Sequence, residues 1–227
     1  AGLHVLITDN EKPYHARKVT LLNGPHTVLS PVAYLSGIDI VRDACQHPVI
    51  GKYIHKVQFE ELMQTLDLPQ NELQQFASDV LERFENPFVD HQLLSISLNS
   101  TSKWKARDLP SLLEYQEKFG KLPQALCMGF AAYIAFFSND LKERTADAIL
   151  ARRPAGDDYQ IQDDDWVLDF YWEHRKDDAA TLTAAVLGNE KMWDQNLNAV
   201  PGLTEQVSRD LELIREQGAR EAYASVL

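Results

Sequence analysis

Lys18, Asn23 and His26 are the residues of this sequence whose types and spacing best suit a chemical reaction. They stand in an otherwise apolar, helical stretch that Gly24-Pro25 interrupts. Together they supply one proton carrier and two neutral hydrogen-bond donors. Oxidation of a secondary alcohol by hydride loss needs a base for the hydroxyl proton and donors aimed at the oxygen where negative charge develops. The trio therefore has the groups that such a reaction, or its reverse, requires.

The surroundings of Lys18 decide whether it can act as a base. A lysine with an ordinary pKa of about 10.4 is a poor base at neutral pH, and desolvation or a cationic neighbour makes it a better one. The adjoining leucines and Arg17 offer both. In the alternative interpretation, Lys18 is a surface lysine, Asn23 a helix C-cap and His26 a cap or a satisfied core histidine. Spacing alone leaves both interpretations open.

Helical periodicity dominates the rest of the chain. Apolar stripes with three- and four-residue steps cover 73–84 and 207–214, the second bounded by Thr204 as N-cap and by Gly218. Gly24-Pro25 is expected to kink or end the first helix, because proline lacks an N–H and clashes with the carbonyl four residues back. Further helices are predicted over 14–23, 31–45, 48–66, 110–119, 123–139, 165–174 and 178–187.

The predicted fold is mostly α, with one helical domain over 1–227 and a sub-boundary offered by 154–165. Pro154, Gly156 and an acidic run mark a loop there. The one convincing strand is 4–8, which is apolar and β-branched ahead of the turn-forming Asp9-Asn10. One strand cannot form a sheet, so we expect it to pair with chain outside this domain.

Composition excludes several classes of protein. The chain has 22 Lys and Arg against 34 Asp and Glu, a formal net charge of −12, which disfavours binding to nucleic acid or to an anionic membrane. The longest apolar run, 125–137, falls short of the roughly 20 residues that a bilayer requires and predicts a buried core helix. Cys45 and Cys127 lie far apart in helical stretches, which argues against a disulfide framework and favours the cytoplasm.

Several frequent site motifs are missing from the sequence. A Rossmann-type dinucleotide site needs closely spaced glycines, and no two of the ten glycines lie two residues apart. The seven histidines have no metal-ligand spacing. The acidic run 157–165 lacks the alternating pattern of a calcium loop, and a solvated loop that caps the next helix is the preferred interpretation. No metal site is predicted.

The pattern Lys-x4-Asn-x2-His within RKVTLLNGPHT resembles the signature of the long-chain mannitol dehydrogenase family. The resemblance implies a largely helical C-terminal domain, similar in type to that of 6-phosphogluconate dehydrogenase, which follows an N-terminal Rossmann domain. It also implies that Lys18 acts as general base and that Asn23 and His26 polarise the reacting oxygen. The implied cofactor is NAD(H), bound mainly by the Rossmann domain, which this sequence does not include.

A second resemblance covers RFENPFVDHQLLSISLNSTSKWKARDLPSLLEYQ at 83–116 and VPGLTEQVSRDLELI at 200–214. Both segments are similar to the branch of the family that reduces tagaturonate to altronate. The resemblance implies a sugar-acid substrate, and it matches Lys103 to a family lysine that contacts substrate oxygens. If 103–107 is helical, Lys103 and Arg107 share a face and could clamp a carboxylate together. The alternative is a solvated cationic loop formed by Lys103, Lys105 and Arg107.

Two positions depart from the family pattern. Ser95 stands where polyol-oxidising members carry an arginine eight residues before Lys103, which argues against mannitol as substrate. Pro25 stands where alanine or serine is usual. A fructuronate (mannonate) or polyol dehydrogenase is the alternative within the enzyme class, and a non-catalytic helical interaction or oligomerisation module is the alternative outside it. The chain begins with Ala, which suggests an engineered product, a processed product or a fragment. Alone it is expected to be nearly inactive and to bind NADH weakly.

Overall fold

The computed structural model describes residues 10–227, so the strand predicted at 4–8 lies outside the described residues. Within them the chain is mostly helical, as predicted. Two π-helical turns (Val19–Asn23 and Lys56–Glu61) and two 3-10 turns (Leu62–Thr65 and Leu197–Ala199) adjoin the α-helices. The α-helices are α1 (Lys12–Lys18), α2 (Gly24–Leu35), α3 (Val41–Gln46), α4 (Ile50–His55), α5 (Gln70–Phe84), α6 (Leu93–Ile96), α7 (Ser100–Arg107), α8 (Leu109–Phe119), α9 (Gln124–Ser138), α10 (Asp165–Glu173), α11 (Ala179–Leu187), α12 (Glu190–Trp193), α13 (Leu203–Gln217) and α14 (Ala219–Ala224).

Helix α9 lies at the centre of the fold. Every residue from Ala125 to Ser138 is buried, and α2 and α13 pack against this helix. A Cβ at Gly129 would come within 2.7 Å of a Val28 methyl carbon, so glycine is what permits this close approach of α2. The apolar run 125–137 is therefore a core helix, as predicted. None of the described helices is long and apolar enough to cross a membrane.

The first helix does not end at Gly24-Pro25, so the expectation that it could end there was wrong. α1, the first π turn and α2 follow one another without a break from 12 to 35, and Gly24 keeps helical dihedral angles. The wider π turn separates Pro25 from the carbonyl that it would meet in a regular α-helix. Pro31 likewise lies inside α2 rather than at a helix start.

A small antiparallel sheet follows α9, and the sequence did not predict it. Its strands are β1 (Leu141–Arg144), β2 (Ile149–Arg152) and β3 (Asp158–Ile161), in the order β1-β2-β3. The predicted loop at 154–165 is thus wrong in part, because β3 lies within it. Each strand has four residues, too few for a clear alternation of apolar and polar residues. In β3 the buried Tyr159 and Ile161 also lie within an acidic stretch, which favours a loop in the sequence.

Glu61 connects the second π turn to the start of α9. Its side chain is buried, and its two carboxylate oxygens accept hydrogen bonds from the backbone N–H groups of Ala125 (2.9 Å) and Leu126 (2.7 Å). These N–H groups lack partners within their own helix. Burial raises the pKa of Glu61 to about 7, although the two hydrogen bonds act in the opposite direction.

Substitution Glu61→Gln is expected to remove one source of pH dependence from the free energy of unfolding. Because the folded pKa is raised, folding takes up a proton at Glu61 between pH of about 4.5 and about 7. The wild type should therefore lose stability relative to Glu61→Gln as the pH rises through that window, by about 3 kcal/mol at most. Urea unfolding at several pH values measures this. The exposed neighbour Glu60 supplies the control Glu60→Gln, and identical pH slopes for all three proteins would contradict the assignment.

Candidate active site

The first π turn brings Lys18 and Asn23 to the same side of the helix. Residues five apart point in widely different directions in an α-helix. Here the Gly24 N–H donates to the Val19 carbonyl, an i to i+5 bond, so residues five apart lie one above the other. His26, three residues after Asn23 in the following α turn, shares that side.

The polar ends of these three side chains have no bonding partner among the described residues. Lys18 is exposed, whereas Asn23 and His26 are partly buried. Within residues 10–227 none of the three side chains forms a hydrogen bond or an ion pair. Arg17, expected beside Lys18, instead lies over the Phe76 ring, 4.4 Å from its centroid. The dry surroundings expected for Lys18 are therefore not supplied by the described residues.

The buried side chain of Gln58 supports the π turn. Its Nε2 donates to the Leu21 carbonyl at 2.7 Å, and the side chain has no exposed surface. Leu21 lies four residues before Pro25, so its carbonyl would have bonded to the N–H that proline lacks. Gln58 thus supplies the donor that the helix itself cannot, directly beneath the segment that carries Lys18 and Asn23.

His26 lies in an aromatic setting that keeps it neutral. Its ring stacks on Phe84 with 3.9 Å between centroids, and His91 meets its edge at 5.4 Å. Burial, together with the charges of His91 and Arg107, lowers the pKa of His26 to about 3. At neutral pH His26 is therefore an uncharged imidazole, able to donate one hydrogen bond.

Helix α7 packs against α2, the helix that carries His26, and bears the cationic residues Lys103 and Arg107. The segment is helical, as the clamp interpretation requires, so Lys103 and Arg107 share a face. Arg107 Nη1 donates to Thr27 Oγ1 at 3.0 Å, and Lys103 Nζ donates to the Ile96 carbonyl at 2.7 Å. Burial lowers the pKa of both groups. Lys105 points elsewhere and pairs with Asp194 at 2.6 Å, so it is not part of the cluster.

Asp163, in the acidic run, holds the start of α7. Its Oδ2 accepts hydrogen bonds from the Thr101 backbone N–H at 3.0 Å and from the Thr101 hydroxyl at 2.9 Å. Asn99, immediately before α7, has a left-handed backbone with φ of 52°. The acidic run was predicted to cap the helix that follows it, yet this carboxylate caps α7 instead.

No group of three or more potential metal ligands occurs in the described part of the chain.

Asp108 lies beside Gly24, where the first π turn meets α2. A Cβ at Gly24 would come within 2.7 Å of Asp108 Oδ1, so the carboxyl group needs the space that glycine leaves. Asp108 is fully buried, and neither oxygen has a hydrogen-bond partner among the described residues. Burial raises its pKa well above the ordinary value, with Arg107 acting in the opposite direction. Burial therefore favours the protonated form of this carboxyl group.

Sequence reasoning missed Gln58, Phe84, Asp108 and Asp163 as parts of this site. For Gln58 one signal was available, since it is a polar residue directly beside the apolar positions Ile54 and Val57 of a helical stretch. Together, the exposed ammonium, the free amide, the neutral imidazole and the cations of α7 suit a ligand that carries both a carbonyl and an anionic group.

Comparisons with known proteins show which family and relatives the chain is similar to. Residues 10–215 match the family described as "Mannitol dehydrogenase C-terminal domain". The chain is 51% identical over its whole length to altronate oxidoreductases of Phocaeicola vulgatus and Bacteroides thetaiotaomicron. It is 43% identical, over 97% of its length, to an altronate oxidoreductase of Escherichia coli. The chain spans 44–45% of these relatives, less than half of each.

Solved structures share the fold. Mannitol 2-dehydrogenase of Pseudomonas fluorescens, in a ternary complex with NAD and D-mannitol, matches with a TM-score of 0.82 at 20% identity, covering 96% of this chain and 41% of that one. A D-sorbitol dehydrogenase in substrate-free form matches with a TM-score of 0.78 at 18% identity, covering 95% and 41%. At these identities the likeness concerns the fold.

Substitution Gln58→Leu should destabilise the π turn, because it removes the 2.7 Å bond to Leu21 and buries an unpaired carbonyl. A loss of about 1–3 kcal/mol is expected in urea unfolding. Faster hydrogen exchange of the Gly24 amide, which closes the π turn, should accompany it. Gln75→Leu is a matched control, because Gln75 is exposed on α5. Unchanged exchange at Gly24 would contradict the assigned role of Gln58.

His26 is expected to stay neutral in NMR titrations until the pH approaches about 3. Its folded pKa is lowered, so the unfolded chain takes up a proton below pH of about 6.5 and the folded chain does not. Stability should therefore fall as the pH drops through this window. His91→Gln removes one of the charges that lower the pKa and should move the His26 midpoint upward. A His26 midpoint between pH 6 and 7 would contradict the dry setting.

Proposed function

Since the chain belongs to the mannitol dehydrogenase C-terminal domain family, we propose that it is the substrate-binding and catalytic half of an NAD-dependent oxidoreductase that reversibly reduces tagaturonate to altronate. The names of the relatives at 42–51% identity support the substrate class. Because those relatives are more than twice as long, the proposal includes an N-terminal Rossmann domain as partner. The working compartment is the cytoplasm.

One observation carries the proposal, namely the contact between α7 and the helix of the trio. The 3.0 Å bond from Arg107 to Thr27 joins the cationic face of α7 to the residue that follows His26. A carboxylate bound at α7 therefore lies beside the donors that would hold a carbonyl. A ketouronate carries both groups in one molecule.

The residues present suit the substrate rather than the cofactor. The chain has no glycine fingerprint for a pyrophosphate, and the free donors described above suit carbonyl and carboxylate oxygens. We assign NADH binding mainly to the Rossmann domain, from which it would supply the hydride. No metal is needed for the roles below.

In the reducing direction, the substrate carbon gains a hydride and its oxygen gains a proton. Lys18, as an ammonium group, gives that proton and recovers one from water, to which it is exposed. Asn23 and His26 donate hydrogen bonds to the same oxygen, and these bonds strengthen as negative charge develops. Because His26 is neutral, Lys18 is the group that transfers the proton. In the oxidising direction the free amine of Lys18 accepts the hydroxyl proton.

Lys103 and Arg107 would bind the substrate carboxylate. Arg107 uses Nη1 on Thr27 and keeps further N–H groups for a ligand. Both cations are partly desolvated, and an anion placed between them would restore favourable interactions. This assignment separates a uronate from a neutral ketose such as fructose.

Substitution Lys18→Ala in the protein that includes the Rossmann domain should lower turnover of tagaturonate by roughly 10² or more. NADH binding should persist, because the substitution leaves the cofactor site alone. Lys12→Ala, at the start of α1, is the matched control. Steady-state kinetics and calorimetry measure the two effects. Near-normal turnover in Lys18→Ala would contradict the proton-transfer role.

Arg107→Gln and Lys103→Met should each raise the KM for tagaturonate about tenfold or more while changing that for fructose little, since a charge-assisted bond contributes about 1.5–3 kcal/mol. Lys105→Gln is the control, because Lys105 already pairs with Asp194. Assays of tagaturonate, fructuronate and fructose with NADH also distinguish the alternative substrates. Equal losses on the acid and the neutral ketose would exclude a carboxylate clamp.

A further inference from the structure

A cavity lies at the far end of α2 from the candidate active site. It has a volume of about 380 Å³ and lies between the ends of α2, α9 and α13 and the β2–β3 hairpin. We call it the hairpin pocket. Leu35 lines it, eleven residues along α2 from Gly24, so the two sites are roughly 16 Å apart along the helix axis.

The hairpin pocket has an apolar floor. Leu35, Ala135 and Ile214 line it, and each is almost fully buried. They come from three different helices that pack on the core, so the floor is part of the rigid body of the fold. A cavity of this size, with an apolar floor and polar groups that converge on it, is typical of small-molecule sites.

The rim of the hairpin pocket is cationic. Arg152, Arg153 and Arg215 line it. Arg153 is buried and pairs with both Asp39 and Asp157 at 2.7 Å, so its charge is already compensated. Arg152 uses its Nε on Asp158 at 2.7 Å, and no bond of its two Nη groups to the described residues is found. These groups remain free for a ligand.

Arg215 is the pocket arginine that lacks a carboxylate partner among the described residues. Its Nη atoms have only two neutral acceptors, the Asp177 carbonyl and Ser138 Oγ, each at 3.3 Å. The side chain reaches solvent, yet partial desolvation lowers the pKa of its guanidinium, with Asp178 acting in the opposite direction. A cation that has lost water without forming an ion pair is open to an anionic ligand.

The backbone beside the pocket is also unusual. Asp140, which lines the cavity, has φ of 38°, a left-handed conformation that is uncommon outside glycine. Its carboxylate pairs with Lys142 at 2.7 Å, and the side chain of Asn139 donates to the Arg152 carbonyl at 2.6 Å. This local network fixes Arg152 and compensates the acidic charge of Asp140.

We propose that the hairpin pocket binds a small organic anion, whose carboxylate or phosphate group contacts Arg152 and Arg215 and whose apolar part covers Leu35, Ala135 and Ile214. The site is separate from the proposed substrate site and does not depend on it. With a net charge of −12 the chain repels anions in general. Saturable binding of an anion therefore requires a specific local site.

Calorimetry with three ligands of similar shape tests this on the chain: phenyl phosphate, benzoate and the neutral benzyl alcohol, at constant ionic strength. We expect saturable binding of at least one anion and none of benzyl alcohol. The preferred anion identifies the head group. Arg215→Gln and Arg152→Gln should each weaken binding at least tenfold. Arg209→Gln, an exposed arginine on α13 outside the pocket, should leave it unchanged.

A further variant separates the two sites. Arg107→Gln weakens the proposed substrate clamp, and it should leave anion binding at the hairpin pocket intact. Loss of binding in Arg107→Gln, with retention in Arg215→Gln, would place the anion in the candidate active site and overturn the proposal. Absence of saturable binding by both anions to the wild type would also overturn it. Circular dichroism of each variant verifies that the helices are intact.

Discussion

The carbonyl that Pro25 leaves without a donor is the constraint on which the candidate active site depends. A helix that contains proline either bends away or finds another donor for the carbonyl four residues back. Here Gln58, from a different segment, donates to that carbonyl of Leu21. The helix can then continue through a π turn, and the continuation keeps Lys18, Asn23 and His26 on one rigid element. Their mutual placement thus depends on a buried amide that contacts none of their polar ends.

Different degrees of desolvation leave the residues of the site with different charges. His26 stacks on Phe84 and stays neutral, whereas Lys103 and Arg107 remain cations that are only partly desolvated. In the proposed function, the neutral donor would lie near the substrate carbonyl and the cations near its carboxylate. The same burial raises the pKa of Asp108, which favours the uncharged carboxyl group over a carboxylate that would pair with Arg107.

The sequence predicted the helical class, the core helix at 125–137 and the segment that carries the trio, because each leaves a local periodic or chemical pattern. It did not predict the continuation through Pro25, since the donor that permits it comes from Gln58, 33 positions later in the chain. Strands β1 to β3 were missed because four-residue strands carry little periodicity. The role of Asp163 was also beyond local patterns, because its partner Thr101 lies 62 residues earlier.

Lys18 and His26 lie on one helix and yet meet opposite amounts of water. His26 already has the dry surroundings that strengthen a hydrogen bond to a developing oxyanion, whereas Lys18 is open to solvent. Hydride transfer requires that water be kept from the reacting carbon. The residues described here do not cover Lys18, so that exclusion needs surface from beyond them, which the proposed Rossmann domain would supply together with the nicotinamide. In the proposed function, this chain would supply the hydrogen-bond donors and the carboxylate-binding cations, and the Rossmann domain would cover Lys18.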